Sequence, residues 1–189
     1  QAVTFFMRDA QAHEDCCGRT EHNHNSIEAK EVTYFAYQAK WLGANLNSFK
    51  QGNNPRSDYR NYIKGNDPSK WQDHVQLFQH IVYKNIYNGI DVEYYGVEQD
   101  LKYNWIVQPG FDPSQIITEY SRNVKVKLVN GDLVIDAPTG AIVEKAPIVY
   151  QMVNGKKVFL PASYSLNNNE VSFKLGNYNK SLPLIIDPT

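Results

Sequence analysis

The sequence predicts an all-β fold: an antiparallel β-sandwich of two packed sheets, with a long polar loop near the N-terminus. Three observations lead there. Between His80 and Val107 apolar and polar residues alternate through three segments joined by two short turns, the period-2 pattern of half-buried antiparallel strands. In the second half, short β-rich runs recur every 8 to 12 residues or so, with turn pairs such as Asn130-Gly131 and Asn154-Gly155 between them. Aromatics reach 13%, Tyr alone occurs 13 times, and no long helical pattern competes.

Taken in order, residues 2–7 read as a first strand. Residues 9–30 are polar and irregular and read as a mobile loop. Residues 31–42, EVTYFAYQAKWL, read as a strand, with a helix starting near Ser26 as the competing assignment. Residues 43–56 carry Gly, Asn, Ser and Pro in quantity and read as turn and loop. A short strand is expected over 59–63. Asp67-Pro68-Ser69 fits one helical turn with Asp67 as cap and Pro68 at the first position, and Asp112-Pro113-Ser114 repeats that chemistry. In the central segment Ile90, Val92 and Tyr94 share one face and Asp91, Glu93 and Tyr95 the other. Leu101, Tyr103, Trp105 and Val107 then form a second apolar face. Strands follow near 124–128, 133–135, 141–144, 148–153, 156–160, 164–166, 171–175 and 182–186. Asn-Gly suits the two-residue hairpins because both central positions take positive φ.

Bulk properties narrow the functional classes. A chain of 189 residues suffices for one large domain or two small ones, and the pattern is read as a single β-rich domain over 1–189. The net charge of −1, from 19 basic and 20 acidic residues, offers no basic stripe for nucleic acid. No apolar run approaches the ~20 residues of a helical membrane span. No signal-peptide pattern is visible, but Gln1 starts inside a strand pattern, which leaves room for a removed leader. The adjacent Cys16 and Cys17 do not suit a bridge to each other, so no structural disulfide is expected. A monomer is the default.

Several phrases carry a resemblance. They include Trp41-Leu42-Gly43-Ala44-Asn45, the run from Asn61 to Trp71, and the run from Val82 to Gly96. Further on come Pro109-Gly110-Phe111-Asp112-Pro113, Asn130-Gly131-Asp132-Leu133, Pro147-Ile148-Val149-Tyr150-Gln151 and Leu184-Ile185-Ile186-Asp187-Pro188. In this order, over about residues 30–188, the chain resembles the uncharacterised N-terminal β-rich domain of large secreted or cell-surface Bacteroidetes proteins. In those proteins the domain often precedes SBBP repeats, PKD-type modules and a type IX sorting domain. Asn88 departs from the Pro often found there, and Asn-Gly keeps the turn. The resemblance implies a β-rich fold and a secreted or cell-surface location. It implies no catalytic residues.

Three sets of residues could carry chemistry. Asp91 and Glu93 sit at i and i+2 on one strand face, roughly 7 Å apart by strand rise, near glycosidase carboxylate spacing. Gly89-Ile90-Asp91-Val92-Glu93 resembles the Glu-Ile-Asp-x-Glu strand of β-sandwich glucanases, but Gly89 stands where the nucleophilic Glu would be. The plainer reading is a solvent-facing strand surface with Lys102 as ion partner. His13, Cys16, Cys17, His22 and His24 offer metal-ligand types at spacings that match no closed structural site. The plainer reading is a polar loop with incidental histidines. Trp71, which follows a turn, and Tyr95, on the polar strand face, are the surface aromatics best placed to stack on a sugar ring. Trp105, on the apolar face with Leu101 and Tyr103, is read as core; Trp41, Tyr87, Tyr94, Tyr150 and Tyr178 complete the aromatic supply, whose plainer reading is core and half-buried packing. Neither a phosphate loop nor a Ser-His-Asp signature occurs.

The sequence is therefore read as a non-enzymatic structural or adhesion module of a secreted or cell-surface multi-domain bacterial protein. No cofactor is expected. Its partners would be a glycan or other cell-surface component, together with further domains of the same chain. One alternative is a carbohydrate-binding module using Trp71 and Tyr95. A second is a degenerate or unrecognised glycoside hydrolase-like β-sandwich.

Overall fold

The structure is a computed structural model, and it describes residues 2–8, 34–97 and 100–188. The expected loop over 9–30, with His13, Cys16, Cys17, His22 and His24, and the start of the expected strand at 31–33 lie outside the described residues. The fold is all-β and antiparallel. Its strands are β1 (Ala2–Arg8), β2 (Tyr34–Trp41), β3 (Phe49–Tyr62), β4 (Gln72–Tyr87), β5 (Ile90–Val97), β6 (Asp100–Val107) and β7 (Thr118–Tyr120), then β8 (Lys125–Val129), β9 (Asp132–Ala137), β10 (Gly140–Glu144), β11 (Ile148–Val153), β12 (Lys156–Leu160), β13 (Ala162–Asn167), β14 (Glu170–Leu175) and β15 (Leu184–Asp187). Two single helical turns, Pro68–Lys70 and Pro113–Gln115, are the only helical pieces among the described residues. Asp67 caps the first, its carboxylate accepting from the Ser69 N–H at 3.1 Å.

The chain divides into two compact units. Of the described residues, the first holds those within 1–42, 116–146 and 163–174, and the second those within 43–115, 147–162 and 175–189. In the first unit a five-stranded sheet, β1-β2-β7-β14-β13, and a three-stranded sheet, β10-β9-β8, share one apolar cluster. Tyr37, Ala39, Tyr120, Tyr164 and Val171 come from the larger sheet and Val126, Leu133 and Ile135 from the smaller. This is sandwich packing: alternation along each strand turns one row inward, and the two inward rows meet. In the second unit seven strands run in the order β12-β11-β15-β6-β5-β4-β3, with Val82, Ile86, Ile90, Val92, Trp105, Val107, Val149, Leu184 and Ile186 buried.

Local chemistry places the turns. At Asn130-Gly131 φ is 52° and 91°, and at Asn154-Gly155 it is 49° and 75°, so both pairs take the left-handed geometry that a two-residue hairpin needs. The strand expected over 31–42 is β2 where described, so the helical alternative is wrong from Tyr34 onward. Buried Tyr37, Ala39 and Trp41 explain why alternation prevailed there.

Three expectations are corrected. Residues 43–56 are not all loop, and the short strand at 59–63 is part of something longer: β3 runs unbroken from Phe49 to Tyr62 despite Gly52, Asn53, Asn54 and Pro55. Its ladder comes from the long β4, whose Ile81 and Val82 stand opposite Gly52 and Gln51, and pairing overrides the weak strand propensity of β3. Pro55 is tolerated because β3 is the edge of its sheet. The Phe78 ring also covers the bare backbone of Gly52, where any Cβ would collide with it. Second, Leu101 is 67% exposed rather than core, because it lies at the outer end of β6, opposite Gly96. Third, the face carrying Asp91 is not a solvent face at that position: Asp91 is 5% exposed and its ion partner is Lys84, not Lys102.

Candidate functional site

The described polar chemistry gathers on the second unit's sheet, where β4, β5 and β6 lie side by side with β15 and β11. Ile90 and Val92 turn into the core, which sends Asp91, Glu93 and Tyr95 to the opposite face. A bulge in β4 decides what each meets. Tyr87 pairs with Ile90 across the Asn88-Gly89 turn, yet Tyr83 pairs with Val92, so three β4 residues stand opposite Asp91 alone. Asn85, at φ 51°, absorbs the excess. The Asp91 carboxylate then closes the bulge, accepting from the Asn85 N–H at 2.8 Å and from Lys84 Nζ at 2.8 Å. Asn45 clamps the same bend from its other side, its N–H donating to the Ile86 carbonyl at 2.7 Å and its side-chain amide to the Asn85 carbonyl at 3.3 Å.

Further along β5 the groups are half-exposed. Glu93 sits 2.8 Å from Nδ1 of His80, and the His80 ring stacks on Tyr95 with centroids 5.5 Å apart. Tyr95 lies opposite Lys102, and Glu93 opposite Asn104. Burial pushes the Tyr95 phenol above its ordinary value; the negative charge of Asp187 adds to this, and a hydrogen bond with Asn104 opposes it. Burial also raises the Asp187 carboxyl, against the pull of Lys102 and Lys157. Asn104 and Asp187 each hold one buried side-chain oxygen with no hydrogen-bond partner among the described residues. On β11 and β12, Lys157 Nζ lies 4.2 Å above the Tyr150 ring, and Phe159 is exposed beside it. The strip thus combines ring faces, a His–carboxylate pair and hydrogen-bonding side chains.

Trp71 sits elsewhere. β4 residues before His80 pair only with β3, among the described residues, so β3 and β4 continue past the third strand as a two-stranded ribbon. Trp71 is at its tip, 41% exposed, with Nε1 donating to the Gly65 carbonyl at 3.2 Å. Tyr95 stands opposite His80, nine residues away along that strand, which is roughly 30 Å at the rise of an extended chain. The structure does not bring Trp71 and Tyr95 together. The ribbon exposes further large apolar groups: Tyr59, Tyr62, Ile63 and Phe78. Its own side chains stitch it, with Tyr59 stacked on His74 at 4.3 Å, Gln76 donating to the Arg56 carbonyl at 2.7 Å and Asn61 accepting from the His74 N–H at 2.9 Å.

In the first unit, burial pushes the Tyr37 phenol up to about 12, helped by the charge of Glu144. Burial also raises the Tyr120 phenol, with the charge of Glu144 adding to it, and its hydroxyl donates to Glu144 Oε1 at 3.3 Å. Both phenols stay protonated at neutral pH, and both rings pack in the core cluster. Among the described residues no group of three or more His, Cys, Asp or Glu could hold a metal ion, and no helix is long and apolar enough to cross a membrane.

Sequence reasoning picked out Asp91, Glu93 and Tyr95 but missed Lys84, Asn85, His80, Asn104 and Asp187 as their partners. The Asn88-Gly89 turn, extended as a regular ladder, would set Lys84 opposite Glu93. The bulge moves that register by two residues. No curated protein and no solved structure matches the chain. Over residues 1–189 it matches a family whose description is "Domain of unknown function (DUF7948)", and the protein belongs to that family.

Proposed function

We propose that the chain is a non-enzymatic structural and adhesion module of a secreted or cell-surface multi-domain bacterial protein, in the setting that its resemblance to N-terminal domains of Bacteroidetes surface proteins implies. The observation that carries the reading is the β3–β4 ribbon. A two-stranded ribbon without a third strand is marginal in water, and this one exposes Tyr59, Tyr62, Ile63, Trp71 and Phe78. Large exposed apolar groups gathered on one element support a contact site there. The non-enzymatic part is supported by the glucanase-like carboxylates, whose oxygens go to the β4 bulge and to His80. The test immobilises the protein and measures retention of bacterial surface polysaccharide and of the downstream domains of its own chain. A Tyr62→Ser, Ile63→Ser, Trp71→Ala variant should lose retention while keeping its fold. Full retention by that variant removes the ribbon from the argument, and turnover of polysaccharide that Glu93→Gln abolishes replaces the reading with a hydrolase.

A second reading, carbohydrate binding, is favoured by the strip around Tyr95. Aromatic faces lie there beside side-chain amides and charges, the combination that holds sugar rings. Loss of glycan binding in Tyr95→Ala, with Trp71→Ala unaffected, would place recognition on that strip.

A further inference from the structure

The first unit has a polar cleft of about 510 Å³, within the range that small-ligand sites take. Its floor is buried Tyr120 and Val124. Glu119 and Glu170 stand on one side, directly opposite each other in the β7–β14 ladder. Like charges so placed repel unless hydrogen-bond donors come between them. Arg122 and Lys125, also lining the cleft, supply two positive charges, so the four charged groups sum to zero. A phosphate or other anion would meet the glutamates, and a metal ion or amine would meet the arginine and lysine. A neutral ligand whose hydroxyls both donate and accept satisfies both sets.

The walls are fixed in advance. Asn169, in the turn between β13 and β14, donates through its side-chain amide to the Tyr120 and Ser121 carbonyls at 3.3 and 3.4 Å, while its own carbonyl accepts from the Tyr120 N–H at 2.9 Å. The turn after β7 is tied to β2: the Ser121 hydroxyl accepts from the Gln38 N–H at 3.0 Å, and Asn123 donates to the Ala36 carbonyl at 2.8 Å. These bonds hold the backbone of the cleft, and the exposed Glu119, Arg122 and Lys125 side chains are ordered when a ligand enters.

We propose that this cleft is a binding site for a neutral saccharide, with Glu119 and Glu170 accepting from vicinal hydroxyls and Arg122 and Lys125 donating to them. The inference rests on the carbohydrate-binding reading and assigns it a second place on the molecule. The experiment screens the whole chain on an array of neutral and acidic oligosaccharides and titrates the best neutral probe by calorimetry. Wild type is compared with Glu119→Gln, Arg122→Ala and Tyr95→Ala. Glu119 and Arg122 are exposed, so both variants should fold, which far-UV circular dichroism checks. Loss of one charge-assisted hydrogen bond predicts at least about tenfold weaker binding in each cleft variant, with Tyr95→Ala unchanged. Neutral-saccharide binding that survives both cleft variants but not Tyr95→Ala overturns the cleft and keeps the carbohydrate reading. Binding confined to acidic saccharides overturns the ligand class. No saccharide binding at all overturns both.

Discussion

Removing the Asp91 carboxylate should unfold the β4 bulge first and cost the second unit a large share of its stability. Asp91 is 5% exposed and answers two donors, the Asn85 N–H and Lys84 Nζ, each at 2.8 Å. The backbone bond is the larger part. A hydrogen bond from this part-buried N–H to a charged acceptor is worth about 1.5–3 kcal/mol. The ion pair adds less, because the Lys84 side chain is 40% exposed and water screens it, which leaves about 0.2–1 kcal/mol. Asp91→Ala should therefore lose about 2–4 kcal/mol, a fall in Tm of about 5–15 °C for a chain of this size. Asp91→Asn keeps an acceptor for Asn85 and should lose about 1 kcal/mol. Lys84→Met tests the smaller share and should cost under about 1 kcal/mol. Urea titration followed through Trp fluorescence reads these differences, since Trp105, 1% exposed, sits one strand away opposite Val92. If Asp91→Ala falls within about 0.5 kcal/mol of wild type, the carboxylate does not hold the bulge, and Asp91 would again be available for chemistry, with Glu93 still paired to His80.

Gly89 has φ 68° and lies under the Phe111 ring, where an added Cβ would collide. Gly89→Ala should cost about 2–5 kcal/mol from left-handed strain plus overpacking, and in a Phe111→Ala background only the strain, about 1–2 kcal/mol, should remain; thermal melts of the four-protein cycle decide it. Gln151 is buried and bonds Asn179 in both directions and the Leu182 carbonyl, so Gln151→Leu should lose about 2–4 kcal/mol by stranding those backbone groups, read by urea unfolding. Asp187 has a raised carboxyl value, so its folded form holds its proton more tightly than the unfolded chain. Its burial therefore costs nothing below the ordinary value of 3.8, and a penalty grows as pH climbs through 3.8 toward the raised value. Asp187→Asn should gain stability over wild type across that window, and a flat difference between the two pH–stability curves would refute the assignment.

What was legible in the sequence was local. Asn130-Gly131 and Asn154-Gly155 state their own backbone geometry, so the hairpins around them could be placed, and β11 and β12 fall at the residues expected. The alternation of Ile90 and Val92 likewise declares a buried face whatever the partner strand does. Only the end of β3 was legible, as the short strand expected over 59–63; its first part was not, because Gly52, Asn54 and Pro55 argue against a strand and the reason lies in β4, which supplies the ladder. The surroundings of Asp91 were hidden for a related cause. Its partners depend on a bulge marked only by Asn85, and one unremarkable Asn gives no sign that the register moves by two.

That register also bears on how the two aromatics singled out from sequence divide their work. The bulge fixes His80 opposite Tyr95, which leaves the whole of β4 from Gln72 to Gln79 outside the three-stranded part of the sheet, with Trp71 beyond it. A ligand short enough to sit on the Tyr95 strip cannot also reach Trp71, roughly 30 Å off by strand rise. An extended polymer or a folded partner could span both. Single substitutions at Trp71 and Tyr95 therefore separate the cases. Independent losses for different ligands mean two sites, and a coupled loss for one ligand means a contact that runs the length of the ribbon. Coupling that persisted with a short oligosaccharide would contradict the register itself, because no such molecule can bridge the two positions while His80 pairs with Tyr95.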